Sequence, residues 1–210
     1  MLPTTTNDRT LAFWLRKSDH LLEQYAEGDE MTKNEAKERF IEYLTTEHIS
    51  YKLLNETGRV ASLEDVDTIY LSCNNQYVIG GRIETSVRFM EEHCYCQSYF
   101  CQPVAFTEEK AIKAARMVNY MNLHLAWDCN TLFDHNYYCS EEDGDVLNGC
   151  LIRYELFDEY FYETMNHILN YTVQQIVDVC IPVIFHLEGK YTYEDFKDYI
   201  RLHIIENKGL

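Results

Sequence analysis

Proline and glycine are scarce in this chain, at 3 and 8 of 210 residues. That scarcity excludes collagen-like and Pro/Gly-rich low-complexity architectures. An aromatic content of 14% excludes a chain too polar to bury a core. No repeat of fixed period and no linker-like tract occurs. One compact domain with terminal helices is therefore the simplest organisation. Cations are also few: 18 Lys and Arg stand against 35 Asp and Glu, a formal charge of −17. They are dispersed among acids and form no basic cluster. A phosphate backbone or an anionic membrane surface would be repelled. These features predict no nucleic acid and no membrane among the partners. A basic or amphipathic polypeptide fits the charge better, although a solvated acidic surface explains it most simply.

Long apolar runs are missing too. Met1–Thr10 has no apolar core and no cleavage site, so it does not read as a secretory leader. The stretch Ile176–Leu187 contains Asp178, Pro182 and His186 and is too short to cross a bilayer. The expectation is a cytoplasmic protein whose 8 cysteines are mostly reduced thiols.

What is present is periodicity. Leu11–Tyr25 repeats at helical spacing and stops at Gly28. Thr32-Lys-Asn-Glu35 is a capping-box pattern, opening a helix with Phe40, Ile41 and Leu44 on its apolar face and an end near His48. Strands follow at Ile49–Leu53, Thr68–Cys73, Ile83–Phe89 and Cys94–Phe100. In the third, Ile83, Thr85, Val87 and Phe89 face one way, and Arg82, Glu84, Ser86 and Arg88 the other. Asn74-Asn75 and Thr57-Gly58 mark turns, and Gly80-Gly81 marks a bulge or bend. Thr107 opens a third, central helix to Leu125. Thr131–Tyr138 and Val146–Leu156 read as two strands joined by the acidic turn Ser140–Asp145. Phe157–Glu188 reads as one long helix, with a kink or break expected at Pro182, which lacks a donor. Its stripe runs from Phe161 through Met165, Ile168, Thr172, Ile176, Val179 and Val183 to Leu187. Either a sheet or a second subunit must cover it. Gly189 ends that helix, and Thr192 opens a last one with Phe196, Ile200 and Ile204.

The predicted class is therefore α+β: an antiparallel sheet with helices on one face. The order is helix, three or four strands, helix, two strands, helix, in minimal form α-β-β-β-α-β-β-α. Additional helices stand at each end. The division is 1–31 for an arm and helix, 32–190 for the main domain and 191–210 for a C-terminal helix on the same domain.

This order resembles the bacterial sensory-transduction-regulator family, of type III secretion chaperone-like fold. Short motifs accompany it: Asn119-Tyr-Met-Asn122 late in the central helix, Asp143-Gly-Asp145 before a strand, and Tyr191 after Gly189. The resemblance covers roughly residues 32–190. It implies a non-enzymatic polypeptide-binding homodimer, and it does not explain the terminal helices.

Motifs of chemistry are weak. His93-Cys94-Tyr-Cys96, with Cys101 beyond, is the strongest metal or redox candidate. On a strand, Cys94 and Cys96 share one face while His93 and Cys101 take the other. That arrangement opposes a four-ligand site, and buried apolar thiols are the simpler reading. The acidic turn lacks the spacing of a calcium loop. Asn119 and Asn122 could bond a partner backbone or satisfy a buried strand edge; the structural role is favoured. The 8 histidines (His20, His48, His93, His124, His135, His167, His186 and His203) are scattered. No phosphate-binding glycine loop and no nucleophile elbow occurs. The expectation is a non-enzyme without cofactor, with Tyr70, Tyr95, Tyr99 and Tyr138 as candidate partner anchors. The alternative is a metal or redox protein centred on Cys94, Cys96 and Cys101.

Overall fold

In the computed structural model, the residues described are 31–54, 62, 66–74, 82–101, 107–125, 133, 135–140 and 145–208. The helix expected at Leu11–Tyr25, the turn Thr57-Gly58, the Gly80-Gly81 bend and most of the acidic turn lie outside them.

The first helix, α1 (Lys33–Thr46), begins where the capping box placed it. Thr32 and Glu35 bond each other's backbone N–H, which satisfies two donors that a helix start otherwise leaves open. It ends at His48, whose φ of 55° is left-handed. Four strands follow: β1 (Tyr51–Leu54), β2 (Thr68–Asn74), β3 (Arg82–Phe89) and β4 (His93–Cys101). Next come α2 (Glu108–His124), capped by Thr107, then β5 (His135–Cys139) and β6 (Val146–Arg153). All six strands form one antiparallel sheet in the order β1-β2-β3-β4-β6-β5. After α2 the chain enters at the edge as β5. It then returns beside β4 as β6, and Ser140 N–H to the Asp145 carbonyl closes the hairpin.

Alternation along the strands determines which face is dry. Ile69, Leu71, Ile83, Val87, Phe89, Cys94, Cys96, Phe100, Tyr137, Val146, Cys150 and Ile152 are all buried. The helices pack on that face, as the class predicts. Each large apolar side chain removed from water there contributes about 1.5–3 kcal/mol. The core has two parts. One gathers Phe40, Phe89, Tyr154 and Phe157 beneath α1. The other gathers Ile83, Phe100 and Val146 with α2 and the C-terminal helices.

The long helix differs from its expectation. The β6 segment bends at Tyr154, whose hydroxyl donates to the carbonyls of Met90 and His93. Helices α3 (Glu155–Glu159) and α4 (Phe161–Asn166) are separated by Tyr160 at φ −128°, ψ 46°. A π-turn, His167–Tyr171, then leads into α5 (Thr172–Leu187). Pro182 sits inside α5 with helix assigned on both sides, so no break occurs there. The irregularity lies upstream, where a side chain bridges it: Thr164 Oγ1 donates to the Leu156 carbonyl at 2.9 Å. Phe161–Leu187 is 27 residues and, by length and composition alone, apolar enough to cross a membrane. Here its stripe is covered by this chain's own sheet, on β3, β4 and β6. That answers the question of cover without a second subunit.

Gly189 ends α5 at φ 76°, and a Cβ there would meet nothing within 4 Å. The glycine is needed for its conformation rather than for space. Thr192 caps α6 (Tyr193–Ile200) with a second capping box, now with Asp195. A further π-turn, Arg201–Ile205, leads to α7 (Glu206–Lys208).

Candidate functional site

The sheet row that separates the two core clusters is polar. Thr85, Ser98 and Asn148 stand side by side on β3, β4 and β6, each fully buried, with Tyr137 next on β5. A buried polar group is costly unless bonded. Here a chain of hydroxyls links sheet to helix. Thr85 Oγ1 and Ser98 Oγ are 2.7 Å apart, Ser98 donates to Thr172 Oγ1 at 3.0 Å, and Thr172 donates to the Ile168 carbonyl at 2.8 Å. The π-turn makes this possible. Thr172 N–H reaches back five residues to His167, and its hydroxyl serves the Ile168 carbonyl instead. Tyr137 completes the layer by donating to Gln175 Oε1 at 2.8 Å.

Beside this row lies a cluster of nitrogen and sulfur donors. His135 opens β5 and stands opposite Cys150 of β6, which stands opposite Cys96 of β4. From above, the π-turn lowers His167 onto them. Cys150 Sγ is 3.6 Å from His167 Nε2, and His135 Nδ1 is 2.7 Å from Asn148 Oδ1. Since Oδ1 only accepts, Nδ1 carries the proton and Nε2 holds the lone pair. One ligand atom from each of His135, Cys150 and His167 lies within 4.8 Å of the others. The rings of Phe133 and Tyr171 flank the pair, with Tyr171 stacked on His167 at 5.1 Å.

The electrostatics oppose nucleophilic thiol chemistry. An active Cys–His pair needs a depressed thiol beside a protonated imidazole. Cys150 is shifted the other way, pushed up by its hydrogen bond with Cys96 and by burial. His167 is pulled down to about 3 by burial, with His135 adding repulsion. Both groups are neutral at ordinary pH.

The structure redistributes the residues singled out by sequence. Cys94 and Cys96 share the dry face of β4, as alternation requires, and burial raises the Cys94 thiol. His93 is half-buried, and the Cys101 side chain lies outside the described residues. The donor cluster is therefore built on Cys150 rather than on the Cys94–Cys96 motif. The histidines read as scattered are not all apart, since His135 and His167 have ring centroids 4.5 Å apart. No local spacing could reveal this, because strand pairing and the π-turn bring them together. Asn122 takes the structural role favoured for it. It bonds both backbone groups of Tyr137, accepting from N–H at 2.6 Å and donating to the carbonyl at 3.0 Å.

On the opposite face of the sheet, all four candidate tyrosines appear. Tyr95, Tyr99 and Tyr138 adjoin Leu147 and Leu151 across β4, β6 and β5, while Tyr70 lies apart on β2. Leu151 is 58% and Tyr138 45% exposed, enough for both to meet a partner. Tyr99 donates to Glu84 at 2.6 Å. The charged side chains described on this face are Lys52, Glu84, Arg88 and Arg153, so the acidic surplus is not concentrated here. Sequence reasoning missed Leu147 and Leu151 because an apolar residue on a strand is first assigned to the core. A shallow recess lined by Phe100, Val146, Ile176, Val179, Cys180, Val183 and Ile184 offers no charged anchor for a small ligand.

No protein-family model, curated protein or solved structure matches this chain. The resemblance to the sensory-transduction-regulator family rests on its element order and short motifs.

Proposed function

We propose that this chain is a non-catalytic, cytoplasmic polypeptide-binding protein, chaperone-like or regulatory, acting as a homodimer. One observation carries the reading. An aromatic and aliphatic patch of Tyr95, Tyr99, Tyr138, Leu147 and Leu151 lies on the sheet face opposite the helices, with Leu151 58% exposed. Aromatic groups spread over a flat sheet suit an extended or helical polypeptide. The neutral, buried Cys150–His167 pair supports the non-catalytic part of the reading. The local charge modifies the expected partner. Contact would be chosen by apolar surface rather than by the overall charge of −17.

The test is titration with a permanently unfolded, alkylated model polypeptide, read by fluorescence anisotropy, with light scattering for mass. Binding that falls at least about tenfold in Leu151→Glu is expected, since central apolar anchors carry more than ~1.4 kcal/mol. Absence of binding, or binding untouched by Leu151→Glu, overturns the proposal. A monomer mass at micromolar concentration removes the dimer.

A further inference from the structure

The donor cluster on the dry face has no part in the proposed binding of a polypeptide. It brings two imidazoles and one thiol together at one point of the core. We infer that His135, Cys150 and His167 form a binding site for a single thiophilic divalent ion, with zinc as the ion that fits.

Three observations converge. First, the donors are of the right kind: imidazole nitrogen and thiolate sulfur, with no carboxylate, suit zinc rather than calcium or magnesium. Second, the spacing fits. Zinc bonds of about 2.3 Å to sulfur and about 2.0 Å to nitrogen at the tetrahedral angle give an N–S edge of roughly 3.6 Å. The Cys150 Sγ to His167 Nε2 separation is 3.6 Å. The same separation suits the thiol–imidazole hydrogen bond that the ion would replace. Third, His135 is already oriented. Its Nδ1 is tied to Asn148 Oδ1 at 2.7 Å, which leaves the lone pair on Nε2, and a ring nitrogen of His135 lies within 4.8 Å of the Cys150 and His167 donors. Ligating histidines characteristically carry such a second hydrogen bond, which fixes ring and tautomer. The amide that does this is itself fully buried, and its Nδ2 has no hydrogen-bond partner among the described residues. An amide held there at that cost is explained if its oxygen has a specific task.

The site would supply three protein ligands. The fourth position would go to a small exogenous ligand, as in open zinc sites. On binding, the Cys150 thiol loses its proton to solvent and a zinc–sulfur bond forms, with no change in oxidation state. Because the donors are buried, at 5% or less exposed, entry requires folding around the ion or local opening at the π-turn. Metal is therefore added during refolding.

The experiment uses the full chain, refolded from denaturant under reducing conditions with cobalt(II) or zinc(II). One equivalent of cobalt is expected, with a thiolate-to-cobalt charge-transfer absorption that zinc abolishes by displacement. Cys150→Ser should lose the absorption, and Cys94→Ser should keep it. Asn148→Ala should bind about 10- to 100-fold more weakly, since it removes only the orienting bond. Circular dichroism checks that each variant folds. If Cys150→Ser does not fold, Asn148→Ala and His135→Gln are read instead. Wild-type protein that refolds without taking up cobalt overturns the inference. So does charge-transfer absorption that persists in folded Cys150→Ser, or metal uptake unchanged in Asn148→Ala and His135→Gln.

Discussion

The ring of Tyr95, on β4, lies across Gly149, on β6. A Cβ added at Gly149 would overlap the Tyr95 hydroxyl and crowd its ring. The tyrosine reaches on to bond Tyr138 of β5, so one side chain spans three strands on the exposed face. Burial and that neighbour push its phenol upward. Glycine inside a strand normally weakens it, and an aromatic group laid over it restores packing.

This pairing predicts a sign change. Gly149→Ala should be neutral or mildly destabilising in the native chain, because the ring must move. In a Tyr95→Ala background the same change should stabilise by about 0.5–1 kcal/mol, the ordinary advantage of alanine over glycine. Urea denaturation of the four proteins of the cycle measures it. Equal effects in both backgrounds would refute the strap.

Asn122 closes the free edge of β5 by imitating a neighbouring strand at Tyr137. Asn122→Ala should cost about 1–3 kcal/mol, since it leaves two backbone groups unbonded. Asn122→Asp keeps the acceptor for Tyr137 N–H and should cost less. Hydrogen exchange at the Tyr137 amide should quicken in the alanine variant, and an unchanged rate would count against this role.

His167 makes the metal-free protein sensitive to acid. Its imidazole is held neutral in the fold, with its pKa lowered from 6.5 to about 3. The unfolded chain therefore binds the proton first as pH falls. Stability is fully present above about pH 6.5 and is lost progressively toward pH 3, below which this contribution levels off. The total is roughly 5 kcal/mol at about 1.36 kcal/mol per pH unit. Denaturation midpoints in the presence of chelator should fall over that range, and His167→Phe should flatten the slope. A slope identical in both proteins would show that His167 is not its source.

Much of the fold was legible because it depends on short-range physics. The alternation of Ile83, Thr85, Val87 and Phe89 against Glu84 and Arg88 identified both faces of β3. The capping box at Thr32 and the helix-opening threonine at Thr192 placed helix starts to the residue, since a cap is satisfied within three residues. The helix does not break at Pro182, where the local rule was outweighed. Nine residues of α5 are buried, Pro182 among them, and that packing carries the helix through. The π-turn had no legible signal. It is stabilised by Thr172 meeting Ser98, a residue 74 positions away.

The sequence by itself determined the class, the order of elements, their caps and the dry side of each strand, because periodicity and capping act over a few residues. Tertiary structure alone decided what meets across that dry side. Strand order set β6 between β4 and β5, which aligned Cys96, Cys150 and His135. The π-turn then lowered His167, 17 residues beyond Cys150, onto the same point. The physical reason is that side-chain direction follows local geometry, whereas coincidence in space depends on pairing and register, which only the packed sheet and helix impose.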